Sequence, residues 1–574
     1  MTVKYESVSI SYIESMTDFD KPMFIDFETM GLYGDIVLAQ YKQEHWTEAL
    51  LVEYPKLSEL QAFTKRLWAV SYPIAYDIGT LGIQPYKIDC LFTAVKSAKP
   101  TQGKFGLADS APKFFYNVVK KNLQKSFLVK KESFTDEQLN YGALDVFALE
   151  WLWNQADIKD VINNNLSYKL DMKNQLLALG YQHNGMPVIA DKWNEAYEQT
   201  EAERVEYQAE LNNLVGFELN VKSWQQKQQA FPELPKNALG KIPTDQAAFK
   251  KLYLENEGSI LGEKAKLVMD TTKRRTELQD LEKYRVSYIP NEDPVRIRTF
   301  YNVAGAVTGR YTSKGGDRVG YTNIQNIGRH FKHIFGYPEG TPRKIISADY
   351  STAELIAGCE IMKIDSMRDL ILEGVDLHKA MASKLTGKPI EEITKDERQG
   401  AKAVNFGYLF GLGVEKFRTY AYDVYGVKLS EKESEEYKSI YYKTHPEIAR
   451  YHKKMAQNVK RKNFLVQTAL GRVVAPDRYA DALNIPVQGS IGETTKMAQI
   501  FLFEDYPSLM KEGMMINMVH DSIILDFPDE YAEDASDALD KSMKLGWKEI
   551  SKSKLFNYHN LPMEVEVDVA MCFK

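Results

Sequence analysis

Two groups of acids set the chemistry within reach of this chain. Met23-Phe24-Ile25-Asp26-Phe27-Glu28 is an apolar run carrying two carboxylates. With the two-residue period of a strand, Asp26 and Glu28 share one face and Phe27 takes the other. Carboxylates so placed can jointly hold a hard divalent cation. Acids are 79 of 574 residues, so about eleven acid-x-acid triplets arise by chance and the pair alone decides nothing. Asp77 follows the apolar run Tyr72–Tyr76, which predicts a strand with the acid at its end. Tyr141 and Asp145 are four apart, hence on one face of a helix.

The second group lies later. Lys344–Tyr350 predicts a strand with Asp349 near its end, and MMINMVHDSIILDF predicts two strands joined by a tight turn at His520-Asp521. Asp349 and Asp521 converge only if these strands are neighbours in one sheet; taken singly, each is ordinary turn chemistry. Ser522, following the turn acid, is expected on the opposite strand face and peripheral to it. Between the two acids stands Arg398-x-x-x-Lys402-x-x-x-Phe406-x-x-x-Phe410. Four-residue steps drift by only ~40° each on a helix, so these side chains form one shallow row. Two cations followed by an aromatic suit a triphosphate with a stacked base; the plain alternative is a basic amphipathic helix.

The elements that must position these residues can be read coarsely. Residues 1–165 read as α/β, with strand-like runs MFIDF, IVLAQY and YPIAYDI and helical stretches at 111–130 and 134–153. Residues 166–290 read as helical, broken by the turn-rich FPELPKNALGKIPTD. VRIRTFYNV and KIISADY predict strands, 350–460 a helical block, and MMINMVHDSIILDF with MEVEVDVAM a β-rich end.

The chain is 44% hydrophobic and 26% charged, an ordinary globular composition. No run approaches the ~18–20 apolar residues of a membrane helix, and the start, MTVKYESVSI, shows no signal pattern. Cys90, Cys359 and Cys572 are far apart and give no disulfide or zinc spacing, which suits a reducing cytosol. The net charge of −6 is a weak argument against nucleic acid. Residues 441–475, however, carry eight Lys/Arg against one acid, a local +7 that suits phosphates as well as a solvated helix face.

In order along the chain, Asp26, Glu28, Asp77, Tyr141 and Asp145 resemble the motifs of DEDD-superfamily 3′→5′ exonucleases with a tyrosine in the third motif. ADYSTAEL, RQGAKAVNFGYLFG and VHDS resemble motifs A, B and C of family A DNA polymerases. VTGRYTS, NIQNI, TALGR, LNIPVQGS and NGMPV resemble further segments of that family, so the likeness covers nearly the whole chain. It implies an RNase H-like exonuclease domain (1–165), then a right hand: thumb (166–295), palm (296–360 and 441–574) and fingers (361–440). Asp349 and Asp521 would hold two catalytic Mg²⁺ ions, with Mn²⁺ as a substitute, and Asp26, Glu28, Asp77 and Asp145 a second pair. Arg398 and Lys402 would grip the dNTP, Phe406 and Phe410 would line its pocket, and Glu354 would exclude a 2′-hydroxyl. Arg310, Gln325, Asn326, Asn484, Gln488 and His520 would contact primer–template DNA, largely through the minor groove.

Four positions depart from the family pattern. Ser522 stands where Glu is usual, Ile356 for Arg, Phe410 for Tyr, and Ala480 for an Arg, with Arg478 two residues earlier. They bear on fidelity and base preference, including use of a modified base. The expectation is a proofreading DNA polymerase that replicates a phage genome in the bacterial cytoplasm. It would act as a monomer, away from membranes, alongside a helicase, a single-strand binding protein or a processivity factor. The absence of a 5′-nuclease segment and the Klenow-like length motivate the phage assignment. The rivals are a 3′→5′ exonuclease with an inactive polymerase half and a non-catalytic DNA-binding processivity subunit.

Overall fold

In the computed structural model, residues 3–30, 35–102, 104–112, 126–127, 133–234, 243–285, 293–315, 320–559 and 561–573 are described. The N-terminal lobe is built on a six-stranded sheet: β1 (Tyr5–Ser7), β2 (Pro22–Thr29), β3 (Ile36–Lys42), β4 (Ala49–Glu53), β5 (Trp68–Ser71) and β6 (Lys87–Cys90), in the order β1-β4-β3-β2-β5-β6. β2 is central, antiparallel to β3 and parallel to β5. A strand covered on both faces needs apolar residues on both, and Met23, Phe24, Ile25 and Phe27 are all buried. Two acids in such a strand must be placed for a reason other than solvation.

The strand expected at YPIAYDI is not there. The strand is β5, ending at Ser71, and α1 (Ile74–Leu81) follows with Pro73 at its N-cap and Gly82, left-handed at φ 64°, at its C-cap. Proline has no N–H to continue a central ladder, so the chain turns and Asp77 rides on a helix rather than at a strand end. α2 (Asp136–Trp153) opens with a capping box between Thr135 and Gln138. The helix expected at 111–130 falls largely outside the described residues, as does much of the turn-rich break at 231–245.

α3 (Leu166–Tyr181) joins this lobe to the rest. A helical arm follows: α4 (Ala190–Val215), α5 (Gln246–Glu255) and α6 (Ile260–Lys283). It has its own small core around Leu211, Phe249, Leu252 and Val268. The strand expected at VRIRTFYNV is two short pieces, Arg296–Ile297 and Phe300–Asn302.

The C-terminal lobe holds β7 (Arg343–Tyr350), α7 (Ala353–Met362), α8 (Leu377–Thr386), α9 (Lys395–Leu409), α10 (Val414–Tyr425), α11 (Tyr479–Asp505), β8 (Met514–Val519), β9 (Ser522–Pro528), α12 (Ala532–Ile550) and β10 (Val565–Ala570). Its sheet runs β8-β9-β7-β10, antiparallel throughout. The largest core of the molecule includes Ala348, Ile523 and Leu525 from the sheet, Val487 and Ala498 from α11, and Leu539 and Met543 from α12. The arm reaches α10: Lys250 pairs with Asp423, Lys428 pairs with Glu257, and the Tyr253 and Tyr422 rings lie 6.1 Å apart. Helical arm and α10 thus meet across the molecule. No described helix is long and apolar enough to cross a membrane.

Candidate active sites

The first site lies under α2. One oxygen each of Asp26, Glu28 and Asp145 lies within 4.8 Å of the others. Strand alternation on β2 supplies two of them and the third turn of α2 the other. Asp77 reaches the same group from α1, held by the Ser71 hydroxyl and the Phe27 N–H. Burial pushes Asp26 up to about 7. Burial, then the charges of Asp26, Asp145 and Asp77, hold Glu28 well above the usual carboxylate range. Among the described residues, every charged neighbour acting on Glu28 is therefore another acid. Tyr141 sits beside them, its phenol pushed far up by burial and then by Asp145, Glu28 and Asp26. It stays protonated, so it can orient a water but cannot act as a base.

Whether a divalent cation suits this site is answered by the donors. Hard oxygen ligands with mutually raised affinity for protons are what such a cation would neutralise. Gln40 adds a further sign. It pairs across the ladder with Asp26, is wholly buried, and among the described residues has no hydrogen-bond partner at either amide atom. An unsatisfied buried amide costs ~1–3 kcal/mol, and beside a hydrated cation site it would find partners. Gly142 on α2 makes room for it: a Cβ there would come within 2.7 Å of the Gln40 amide nitrogen. Sequence reading missed Gln40, whose one signal was a polar residue inside the apolar run IVLAQY.

The second site is on the antiparallel sheet. Asp349 is near the end of β7, and Asp521 sits in the turn between β8 and β9, where His520 adopts φ 56°. Sheet neighbours β7 and β9 bring the two acids together. Asp349 is exposed on the sheet face yet densely surrounded by protein. That burial, followed by the Asp521 charge, lifts it to about 7, while hydrogen bonds from Ser522 and the Tyr350 N–H oppose the rise. Ser522 is thus not peripheral as expected. Asp521 belongs to the turn and the strand begins at Ser522, so alternation counted from Asp521 gives the wrong face. The fit to a divalent cation is again one of paired, mutually repelling carboxylate oxygens.

Around this pair stand several of the other expected residues. Glu354, in the first turn of α7, accepts from the Gln488 amide at 3.3 Å and lies 3.8 Å from the Arg310 guanidinium. Burial raises its carboxyl, with Arg310 acting against and Asp521 adding to the rise. Arg310 and Asp521 also act on His520, which burial lowers. Gln325 donates to the Met518 carbonyl at 2.9 Å, tying its loop to β8. Asn484 stands one turn before Gln488 on α11, and Asn326 is exposed beside Gln325.

α9 starts at a Thr394/Glu397 capping box and carries Arg398, Lys402 and Phe406. The expected row stops there: the helix ends at Leu409, Phe410 is its C-cap, and Gly411 turns left-handed at φ 73°. Arg398 is held by Asp376 at 2.7 Å. His378, two residues later, lies 5.6 Å from the Phe406 ring, and burial lowers it to about 4. It is a neutral prop for that aromatic and was not singled out in the sequence. Ile356 is buried in the core behind Glu354.

Two acid clusters on separate sheets, the second fronted by a cation-bearing helix, define a multidomain α/β plus α+β chain with two candidate sites. The family model for DNA polymerase family A matches residues 190–574, about two thirds of the chain, and the chain belongs to that family. Residues 1–189 lie outside that match. DNA polymerase I of Aquifex aeolicus is 33% identical over 337 residues, covering 58% of this chain and 54% of that protein. The thermostable DNA polymerase I of Thermus aquaticus is 26% identical over 388 residues, covering 63% and 42%. This chain therefore spans about half the length of those relatives or less. A solved structure titled "POL domain of Pol1 from M. smegmatis complex with DNA primer-template and dNTP" shares the fold, with TM-score 0.75, 17% identity and 99% coverage of both chains.

Proposed function

We propose that this chain is a template-directed DNA polymerase that uses dNTPs and proofreads with a 3′→5′ exonuclease, its two sites being the two acid clusters. The observation that carries the reading is the convergence of Asp349 and Asp521 on one sheet, beside Glu354, Gln488 and Arg310. Family membership supports it for the C-terminal lobe. For the N-terminal lobe the support is the grouping of Asp26, Glu28, Asp77 and Asp145 around Tyr141. The proposed domains are exonuclease 1–165, thumb 166–295, palm 296–360 with 441–574, and fingers 361–440.

In the polymerase site, Asp349 and Asp521 would hold divalent cations, Mg²⁺ or Mn²⁺. In the exonuclease site Asp26, Glu28, Asp77 and Asp145 would do so. When bound, such ions make the attacking oxygen more nucleophilic and offset charge on the leaving oxygen. Arg398 and Lys402 would bind the triphosphate as cations; the Asp376 contact fixes the Arg398 guanidinium before the ligand arrives. Phe406, braced by His378, offers a ring face to the sugar and base. Arg310, Gln325, Asn326, Asn484, Gln488 and His520 would line the primer–template. Tyr141, kept protonated, would position the water that attacks the 3′-terminal phosphodiester.

The test is primer extension with and without dNTPs by the full chain and two variants. Asp521→Ala should lose extension and keep 3′→5′ degradation. Asp26→Ala with Glu28→Ala should lose degradation and keep extension. A folded variant that lost both activities would overturn the two-site reading. An inert parent chain would overturn the polymerase reading itself.

A further inference from the structure

The sequence places Ser522 where an acid usually follows the second aspartate in this family. The sheet supplies an acid from another strand. β7 lies between β9 and β10, and Asp349 is paired directly with Glu566 of β10. On the other side the ladder pairs Ala348 with Ile523, so the next step sets Asp349 against Ser522. Residues directly opposed in an antiparallel sheet project to the same face, with Cβ atoms ~4.5–5.5 Å apart. Ser522, Asp349 and Glu566 therefore form a row across three strands. The opposite face at this level is closed, since Ala348 and Ile523 are buried in the core. Asp349 and Glu566 are both exposed on the open face.

The two flanks of Asp349 differ in chemistry. The Ser522 hydroxyl donates to its carboxylate, and Glu566 stands directly opposite it on the other strand. A hydroxyl can orient a carboxylate but brings no negative charge; Glu566 brings one, on a side chain long enough to reach past its own strand. Asp568, the next acid on that face of β10, pairs with Ser347, one step back along β7 and outside the row.

We propose that Glu566 is the third carboxylate of the polymerase cation site, supplied by the edge strand in place of an acid after Asp521. This rests on the reading of Asp349 and Asp521 as that site. Its reach to the ion would be direct or through a bound water. A solvated acid that merely guards a sheet edge would show no coupling to position 522, and this separates the two roles.

The experiment is Mn²⁺ titration of the full chain followed by electron paramagnetic resonance. The component lost in Asp521→Asn is assigned to the polymerase site. Glu566→Gln, with a melting temperature matching the parent, should weaken that component about fivefold to tenfold, roughly 1–1.4 kcal/mol. Ser522→Glu added to Glu566→Gln should restore it to within about twofold, because it returns a carboxylate to the row opposite Asp349. Unchanged Mn²⁺ affinity in Glu566→Gln would overturn the proposal, and so would a loss that Ser522→Glu fails to restore. If Asp521→Asn removes no Mn²⁺ component and the parent fails to extend a primer, it is the underlying polymerase reading that falls.

Discussion

At the scale of residues, Glu354 shows how a carboxylate becomes a fixed obstacle. Thr352 sits in the left-handed region at φ 53° and α7 begins at Ala353, so Glu354 projects from the first helical turn. Gln488 and Arg310 then approach its Oε1 from two other elements. On the proposed reading, a side chain tethered in this way would not swing aside for a bulkier sugar and would gate against a 2′-hydroxyl. Glu354→Ala should raise the rNTP/dNTP selectivity ratio at least about tenfold, equivalent to ~1.4 kcal/mol of discrimination. Gln488→Met, which loosens one tether and leaves the carboxylate, should raise it by only about threefold. Competitive single-nucleotide incorporation measures both, and an unchanged ratio in Glu354→Ala would sink the assignment. Asp349 and Asp521 were legible in the sequence because strand ends and turns are marked by local pattern, whereas Asp77, expected at a strand end, lies on a helix. Ser522 was misread for a local reason too: the His520-Asp521 turn resets the alternation that holds within a strand.

Among elements, α3 is the joint between the lobes, and a buried ionic cluster fixes it. Asp171 of α3 accepts from Lys496 of α11 at 2.5 Å and pairs with Arg472; Lys496 also donates to the Gly309 carbonyl at 2.6 Å. Nearby, Glu493 accepts from Ser167 at 2.8 Å, Thr468 at 2.5 Å and the Leu470 N–H at 2.9 Å. Asp171 and Lys496 are wholly buried. Removing one member of such a cluster leaves an uncompensated charge, at a cost of ~3–5 kcal/mol. Asp171→Ala should therefore lower the apparent melting temperature by about 2–4 °C. Adding Lys496→Met should recover part of the loss, because one stranded cation is removed. Equal melting of Asp171→Ala and the parent would show that the cluster bears no load. None of this was legible beforehand: the partners of Asp171 lie 301 and 325 residues away, and no local pattern reports a pairing at that range. Helix existence was easier to read than strand position, as at Pro73, because caps and turns are local while a ladder is not.

For the molecule as a whole, the acids of the N-terminal lobe make its stability a function of pH and, on the proposed reading, of cations. Burial raises Asp26 to about 7, and burial with mutual repulsion holds Glu28 and Asp77 well above their usual range. Below the ordinary carboxylate value of about 4 both folded and unfolded chains keep these protons, and the groups cost nothing. Between about 4 and 7 the unfolded chain releases them while the folded lobe retains them, so stability falls as pH rises and is lost through about 7. A divalent cation that binds only the folded lobe acts in the opposite sense, and most strongly where the acids are ionised. In EDTA, the parent should therefore melt lower at about pH 8 than at about pH 5.5, and millimolar Mg²⁺ should remove most of that difference. The rest of the chain also titrates, so the reference is Asp26→Asn with Glu28→Gln. That variant should melt about 4 °C or more above the parent in EDTA at about pH 8, match it at about pH 4, and gain less from Mg²⁺. Differential scanning fluorimetry across the pH series reads all of these shifts. Should the variant and the parent show the same pH dependence, the clustered acids are not repelling one another in the folded lobe, and its assignment as a cation site would have to be withdrawn.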